Sequence, residues 1–328
     1  MRFPFLRYGI RSGLVRVLRT SMVLLAGASC IAHPGPARAS CVAPTPTAPA
    51  PAASTVTSGA PALAPPGVAS MGGAAHVVAL PDGRLIASDF APIITRGELV
   101  VAMLGVDSPP FFFQKNGQLA GIEVDLANDV GRALGVKVRF DRSAMTFDDV
   151  VKLLASGHAD IAVSKLSQTL ARARQIDYSH PYLTLHRALL INRVRLAARS
   201  GNRPLPDVIR SFDGTIGVIA ASSYADYAKK NFPHAKIVSY PGWQALIDGV
   251  RAGDVTAAYR DEFEIKRLLK FDPTASLTLR TVTFQDLSDT LAIGVRVDEP
   301  TVLSFVNEYL GERTETLDVA RVLDAVKQ

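Results

Sequence analysis

Residues 160–182 read D-I-A-V-S-K-L-S-Q-T-L-A-R-A-R-Q-I-D-Y-S-H-P-Y, from Asp160 to Tyr182. The stretch opens as a short apolar strand, Asp160 to Ser164, and passes through hydroxyl and basic residues. It continues into a segment, Leu170 to Gln175, long enough for one or two helical turns capped by Thr169. That order puts Ser167, Thr169 and the backbone N–H groups behind them at the positive end of a helix, where an anion is favoured. Arg172 falls in the first turn, against the usual preference for acidic residues there. Its planar guanidinium is suited to gripping a ligand carboxylate with two parallel hydrogen bonds. On these residues alone, a solvated helix arginine and a turn-forming serine describe the stretch equally well.

Outward from this stretch, strands and helices alternate. Arg96-Gly97-Glu98 leads into a strand, Leu99 to Leu104, and a turn follows at Asp107-Ser108-Pro109-Pro110-Phe111. Gly121-Ile122-Glu123-Val124-Asp125-Leu126 opens a helix whose Leu126, Val130, Ala133 and Leu134 share one face, with Glu123 and Asp125 at its negative-favouring start. Val136 to Phe140 reads as a strand and Thr146 to Ala155 as a helix ended by Gly157. Beyond Tyr182 come a strand, His186 to Arg193, and a basic link with Gly and Pro, Leu196 to Pro206. The pattern then restarts with strands at Thr215 to Ile219, Lys236 to Tyr240 and Val255 to Tyr259. Helices follow these at Tyr224 to Lys230, Gly242 to Ala252 and Asp261 to Leu269. A further strand, Thr290 to Val297, and helices near Thr301 to Leu310 and Thr316 to Val326 end the chain. This alternation implies an α/β fold with mostly parallel, doubly wound sheet in two lobes.

The 328 residues carry a net charge of +6, which taken whole suggests a nucleic acid or membrane partner. Its distribution removes that idea. Arg2, Arg7, Arg11, Arg16, Arg19 and Arg38 all lie in residues 1–39, which hold no Asp or Glu, so the remainder is formally neutral. Residues 1–39 read as a secretory signal peptide: an Arg-rich start, an apolar run from Ser21 to Ala32 too short for a bilayer, and cleavage at Ala37-Arg38-Ala39. Lipid attachment at Cys30 is the less favoured reading, since Gly27-Ala28-Ser29 lacks the large apolar residue expected before it. Cleavage leaves Cys41 as the only thiol, so no intrachain disulfide forms. Residues 40–75, rich in Pro and Ala, read as a disordered linker. Pro81-Asp82-Gly83 marks a small hairpin.

The ungapped series Ser167, Thr169, Arg172, Asp177, Tyr178, Ser179, Pro181 and Tyr182 resembles the segment T-x-T-x-x-R-x-x-x-V-D-F-S-x-P-Y of the bacterial extracellular solute-binding proteins of family 3, which serve polar amino acid transporters. Residues 121–126 resemble that family's G-F-D-V-D-L. Gly253-Asp254-Val255-Thr256-Ala257-Ala258-Tyr259-Arg260-Asp261 resembles its G-x-V-D-A-V-V-x-D. The resemblance implies a type II periplasmic binding fold whose sheets are joined by two crossover segments near Asn192 and Ser288. Residues 95–191 and 289–328 would form lobe 1 and residues 192–288 lobe 2. It implies an amino acid held between the lobes, with Arg172 on its carboxylate and Asp261 on its ammonium. Ser167 and Ser222 would supply hydroxyl donors, and Phe147 and Phe111 the aromatic faces. As an alternative to a ligand role, Asp261 reads equally well as a helix N-cap.

Several positions depart from the family. Ser108 stands where many members have an aromatic, with Asp107 as the nearest acid. Ala221-Ser222 replaces a Gly-containing helix start, and the single tryptophan is Trp243 rather than one in the last helix. Lys165 replaces a small residue and would repel a cationic ligand, so an acidic or neutral amino acid is expected. The expected role is that of a periplasmic, monomeric binding protein delivering to an inner-membrane ABC permease, without cofactor, metal or nucleic acid. A dehydratase-like enzyme of the same fold, or a sensory ligand-binding subunit, are the alternatives. His33, His76, His158, His180, His186 and His234 show neither metal-like spacing nor a catalytic pairing.

Overall fold

A computed structural model of the protein describes residues 76–314 and 317–326. The expected signal peptide and Pro/Ala-rich linker lie outside the described residues, as do Cys30 and Cys41. The expected hairpin is formed by β1 (Val77–Ala79) and β2 (Leu85–Ala87), antiparallel around the turn at Gly83. The short helix α1 (Ala91–Arg96) then delivers the chain to β3 (Glu98–Ala102). A second hairpin, β4 (Phe113–Lys115) and β5 (Gln118–Ala120), precedes α2 (Ile122–Leu134).

The remaining elements of the first half are β6 (Lys137–Asp141), α3 (Phe147–Ala155) and β7 (Ile161–Ala162). The long β8 (Ile176–Asn192) leads out of it. The second half holds α4 (Arg193–Ser200), α5 (Leu205–Arg210), β9 (Thr215–Ile219), α6 (Ser223–Asn231), β10 (Lys236–Tyr240) and α7 (Trp243–Ala252). It continues with β11 (Ala257–Asp261), α8 (Glu262–Phe271) and α9 (Ala275–Thr278). The return strand β12 (Leu279–Arg296), α10 (Pro300–Glu312) and α11 (Val319–Ala325) complete the chain.

The strands form one sheet in the order β10-β9-β11-β8-β12-β7-β3-β6. Within each half the pairs β3·β6, β3·β7, β9·β10 and β9·β11 are parallel, as βαβ units require. The sheet as a whole is mixed rather than mostly parallel, because β8 and β12 run antiparallel to each other through its middle. These two strands are the crossovers. One end of the ribbon carries β7, paired at Gly294 and Val295 of β12, and the other carries β11, paired with β8 from Arg187 to Ile191. Their register shifts between Thr283 and Ser288, opposite Ala188 and His186. The crossings expected near Asn192 and Ser288 fall within these strands: Asn192 ends β8, Ser288 pairs with His186 beside the register shift, and the pairing of β8 with β11 begins at Arg187. The apolar run of β8 is buried on both sides of that point, so no break in the sequence pattern marks it.

The basic link expected over Leu196 to Pro206 instead contributes to two short helices, α4 and α5. Asn192 caps the first, its side chain accepting from Arg195 N. The helix expected at Leu170 to Gln175 contracts to a single 3₁₀ turn, Arg172–Arg174. Thr169 Oγ1 accepts from Arg172 N at 3.2 Å just ahead of it, but the residue at its N-cap position is Ala171, which has no capping side chain. One hydrophobic core lies under the first half and includes Leu99, Val101, Leu126, Val150 and Ile161. The second-half sheet is covered on its two sides by separate clusters, around Val218 and Tyr259 and around Leu246 and Val250. Gly131 of α2 is obligatory for the first core: a Cβ there would stand 2.3 Å from Val138 Cγ2.

Candidate functional site

The strand ends of the two halves face each other across the ribbon, where open α/β sheets place ligands. There a small cavity is lined by Phe147, Lys165, Ser167, Arg172 and Asp261. Five of the eight residues singled out from sequence thus meet in one place. The same wall contains Ser223, Tyr224, Arg260, Asp289 and Leu291.

Lys165 follows β7, and its backbone is in the left-handed region at φ 45°. The N–H that this conformation exposes donates to both carboxylate oxygens of Glu123, at 2.9 and 3.0 Å, while Tyr182 OH donates to Glu123 Oε1. Glu123 therefore does more than sit at a helix start. It is fully buried in the first turn of α2 and anchors the loop that carries Lys165. Burial pushes its carboxyl up to about 7, against the hydrogen bonds from Tyr182 and Lys165 that favour the ionised form.

The Lys165 ammonium crosses to the second half. It lies 2.8 Å from Glu264 Oε1 and 3.7 Å from Asp261 Oδ2, between the rings of Phe111 and Phe263 at 4.5 and 5.3 Å. Burial opposes ionisation of Glu264, but Lys165, Arg267 and Arg260 outweigh it and hold the carboxyl well below its ordinary range. Asp261 is at once the last residue of β11 and the N-cap of α8, accepting from Glu264 N at 3.0 Å. The capping and cleft-facing readings of Asp261 hold together, because a residue at a strand-to-helix turn serves both.

Arg172 is 4% exposed, and its Nη2 lies 2.9 Å from Asp148 Oδ1 in the first turn of α3. Its Nη1 reaches Ser167 O at 3.4 Å. Ser167 Oγ accepts from Ser223 Oγ at 2.9 Å, a direct contact between the loop after β7 and the first turn of α6. Tyr224 OH donates to Asp289 Oδ2 at 2.9 Å. Burial and the nearby Asp261 raise the Asp289 carboxyl above its ordinary value, with the Ser167 and Tyr224 hydroxyls acting the other way.

Three sequence-selected residues lie elsewhere. Phe111 is fully buried beneath Lys165, edge-on to Phe263 at 5.2 Å, and reaches the cavity only through that ammonium. Ser222 turns its hydroxyl back onto Ile219 O at 2.6 Å, leaving Ser223 to face the cavity. Asp107 lines an adjoining groove together with Val106, Met145 and Trp243, and is held there by Arg142 at 2.8 Å and Gln114 N at 3.0 Å. Phe147 and Arg260 belong to the walls of both cavities. Sequence reading missed Arg260, Asp289, Ser223 and Tyr224. The sequence mark of the first two is a charge within a strand, Arg260 in β11 and Asp289 in β12.

Among the described residues no cluster of His, Cys, Asp and Glu is arranged to hold a metal, and no helix is long and apolar enough to cross a membrane. The chain is similar to the L-cystine-binding protein TcyJ of Escherichia coli K12, with 23% identity over 220 residues, 66% of this chain and 77% of that protein. Among solved structures it is similar to the amino acid ABC transporter substrate-binding protein AbpA of Streptococcus pneumoniae, solved bound to L-arginine. That match has a TM-score of 0.59, 28% identity and coverage of 72% of this chain and 97% of the other. It is also similar to AncCDT-1, an ancestral amino acid-binding protein and precursor of cyclohexadienyl dehydratase, with a TM-score of 0.58, 26% identity and coverage of 74% and 100%. The fold is that of the type II periplasmic amino acid-binding proteins. The model of the bacterial extracellular solute-binding proteins, family 3, matches residues 99–324, and the chain belongs to that family.

Proposed function

We propose that the protein is exported by its N-terminal signal and acts in the periplasm, capturing an amino acid in the cavity between the two halves and delivering it to an inner-membrane ABC permease. One observation carries the reading: Arg172, Ser167 and Lys165 of the first half meet Asp261, Ser223 and Tyr224 of the second in a single buried cavity. Arg172 is the carboxylate ligand. Its present partner, Asp148, is half-exposed, so a ligand carboxylate displaces it at little cost. Two charge-assisted contacts at about 1.5–3 kcal/mol each, with burial on Phe147, support the ~8 kcal/mol of a micromolar complex. Closure about the β8–β12 ribbon excludes water and strengthens both.

Lys165 disfavours ligands with cationic side chains, so acidic and neutral amino acids are the favoured class. The reading is one of binding and release, without bond chemistry. A thermal-shift screen of the purified protein against the common amino acids tests it: at least one raises the melting temperature, and Arg172→Lys removes that rise. Turnover of prephenate or arogenate would replace the reading with an enzymatic one.

A further inference from the structure

Two buried polar atoms on the cavity wall have no hydrogen-bond partner, and they are of opposite kind. Arg260 is 6% exposed, and its Nε donates to nothing. It lies 3.4 Å from Asp261 Oδ2 without the geometry of a hydrogen bond. Its guanidinium is instead held between the Tyr224 and Phe147 rings, at 5.5 and 5.8 Å. Asp289 is 2% exposed. Tyr224 occupies its Oδ2, and its Oδ1 has no partner in hydrogen-bonding geometry, although the Ser167 hydroxyl and the Arg187 guanidinium lie near enough to favour its ionised form.

Buried donors and acceptors are almost always satisfied, and leaving one unpaired costs about 1–3 kcal/mol, more when it is charged. A donor without an acceptor and an acceptor without a donor, on one small cavity, fit a molecule that carries both an anionic and a cationic group. Asp261, the acid expected to hold a ligand ammonium, has Lys165 Nζ at 3.7 Å, and Glu264 is matched by Lys165 at 2.8 Å and Arg267 at 2.9 Å. The chain's own lysine thus supplies the cation these carboxylates need, which leaves Asp289 as the acceptor for a ligand ammonium.

We infer that the cavity takes an amino acid with two carboxylates, one on Arg172, the other on Arg260, and its ammonium on Asp289, while Lys165 serves as the internal counter-ion of Asp261. A second ligand carboxylate answers the unpartnered Nε of Arg260, whereas the cationic side chain of arginine or lysine would face that guanidinium. The inference rests on the amino acid reading above and narrows it.

Isothermal titration calorimetry of the purified protein with L-glutamate, L-aspartate, L-glutamine, L-arginine and succinate tests it. L-Glutamate or L-aspartate is expected to bind at least ten-fold more tightly than L-glutamine, which lacks the second charge, and than succinate, which lacks the ammonium. Arg260→Gln is expected to narrow the gap between glutamate and glutamine, with Arg260→Lys keeping most of it. The ligand panel on the unaltered protein decides the matter even if the variants fold poorly. L-Glutamine or L-arginine binding as tightly as the acidic pair overturns the assignment of Arg260 while leaving an amino acid site. Succinate binding as tightly as glutamate overturns that of Asp289. Binding of none of the amino acids overturns the broader reading as well.

Discussion

The side chains of the cavity hold one another in place before any ligand arrives, and single substitutions separate ligand binding from folding. Arg172→Lys keeps the charge but loses the planar fork. We expect at least ten-fold weaker amino acid binding by calorimetry and a melting temperature within a few degrees of the parent. Lys165→Met is the opposite case. It leaves Glu264 and Asp261 short of a buried cation, and removing one partner of such a group costs about 3–5 kcal/mol. Chemical denaturation should show a loss of that order, moderated by the Arg267 contact to Glu264. Arg172, Ser167, Lys165 and Asp261 were legible in the sequence because each sits at a strand-to-helix turn with a recognisable neighbourhood. Arg260 and Asp289 were not, because a charge within a strand acquires meaning only once the opposite half has been placed against it. Phe111 was misplaced for a related reason: an aromatic beside a Pro-Pro turn gives no sign of whether it faces a cleft or the core beneath it.

At the scale of elements, turns and caps carried the prediction, and length did not. Thr146 caps α3, accepting from Asp149 N at 3.1 Å, and that helix positions both Phe147 and Asp148 at the cavity. Thr146→Ala is expected to cost about 1 kcal/mol of stability and to weaken ligand binding modestly, as measured by denaturant titration and calorimetry. The strands flanking the ribbon were readable as apolar runs between Gly and polar turns, to within a residue or two, but β8 and β12 begin at Ile176 and Leu279, well before the strands expected from His186 and Thr290. The region 193–210 was not readable in this way. Its Gly and Pro suggested a link, yet Asn192 supplies a cap for α4, and Pro206 stands in the first turn of α5, where its missing N–H is harmless. The segment after Thr169 erred the other way: the turn starts at Arg172 behind Ala171, which has no side chain to cap a longer helix.

The two halves are joined by more than the ribbon. Helix α11 lies against α8, with Lys270 Nζ donating to Leu323 O at 2.7 Å, so the C-terminal end reaches an element of the second half. The alternation of strands and helices could not show this, because packing between distant helices leaves no periodic mark. The molecule also carries a pH dependence. Burial raises Glu123 to about 7 and, with smaller opposition from Arg296, Glu299 to about 7, from an ordinary value of 4.5. The native chain therefore retains protons that the unfolded chain releases above that ordinary value. Their stabilisation is full at the acid side and is lost as pH rises through about 7. For the fully buried Glu123, each tenfold difference in proton affinity between the folded and unfolded chain is worth about 1.4 kcal/mol. Melting temperatures recorded from pH 5 to 8 should fall along this limb, and Glu123→Gln should make it shallower, the share of Glu299 remaining. An unchanged slope in that variant would assign the dependence to other groups.

The central claim is that the two halves close on an amino acid whose carboxylate Arg172 holds. A crystal structure of the protein grown with its tightest-binding amino acid tests it most directly. The account predicts a ligand carboxylate about 3 Å from the Arg172 guanidinium, displacing Asp148, with the ammonium facing the carboxylates of Asp261 or Asp289. A ligand bound away from this cavity, with Arg172 still resting on Asp148, would contradict it.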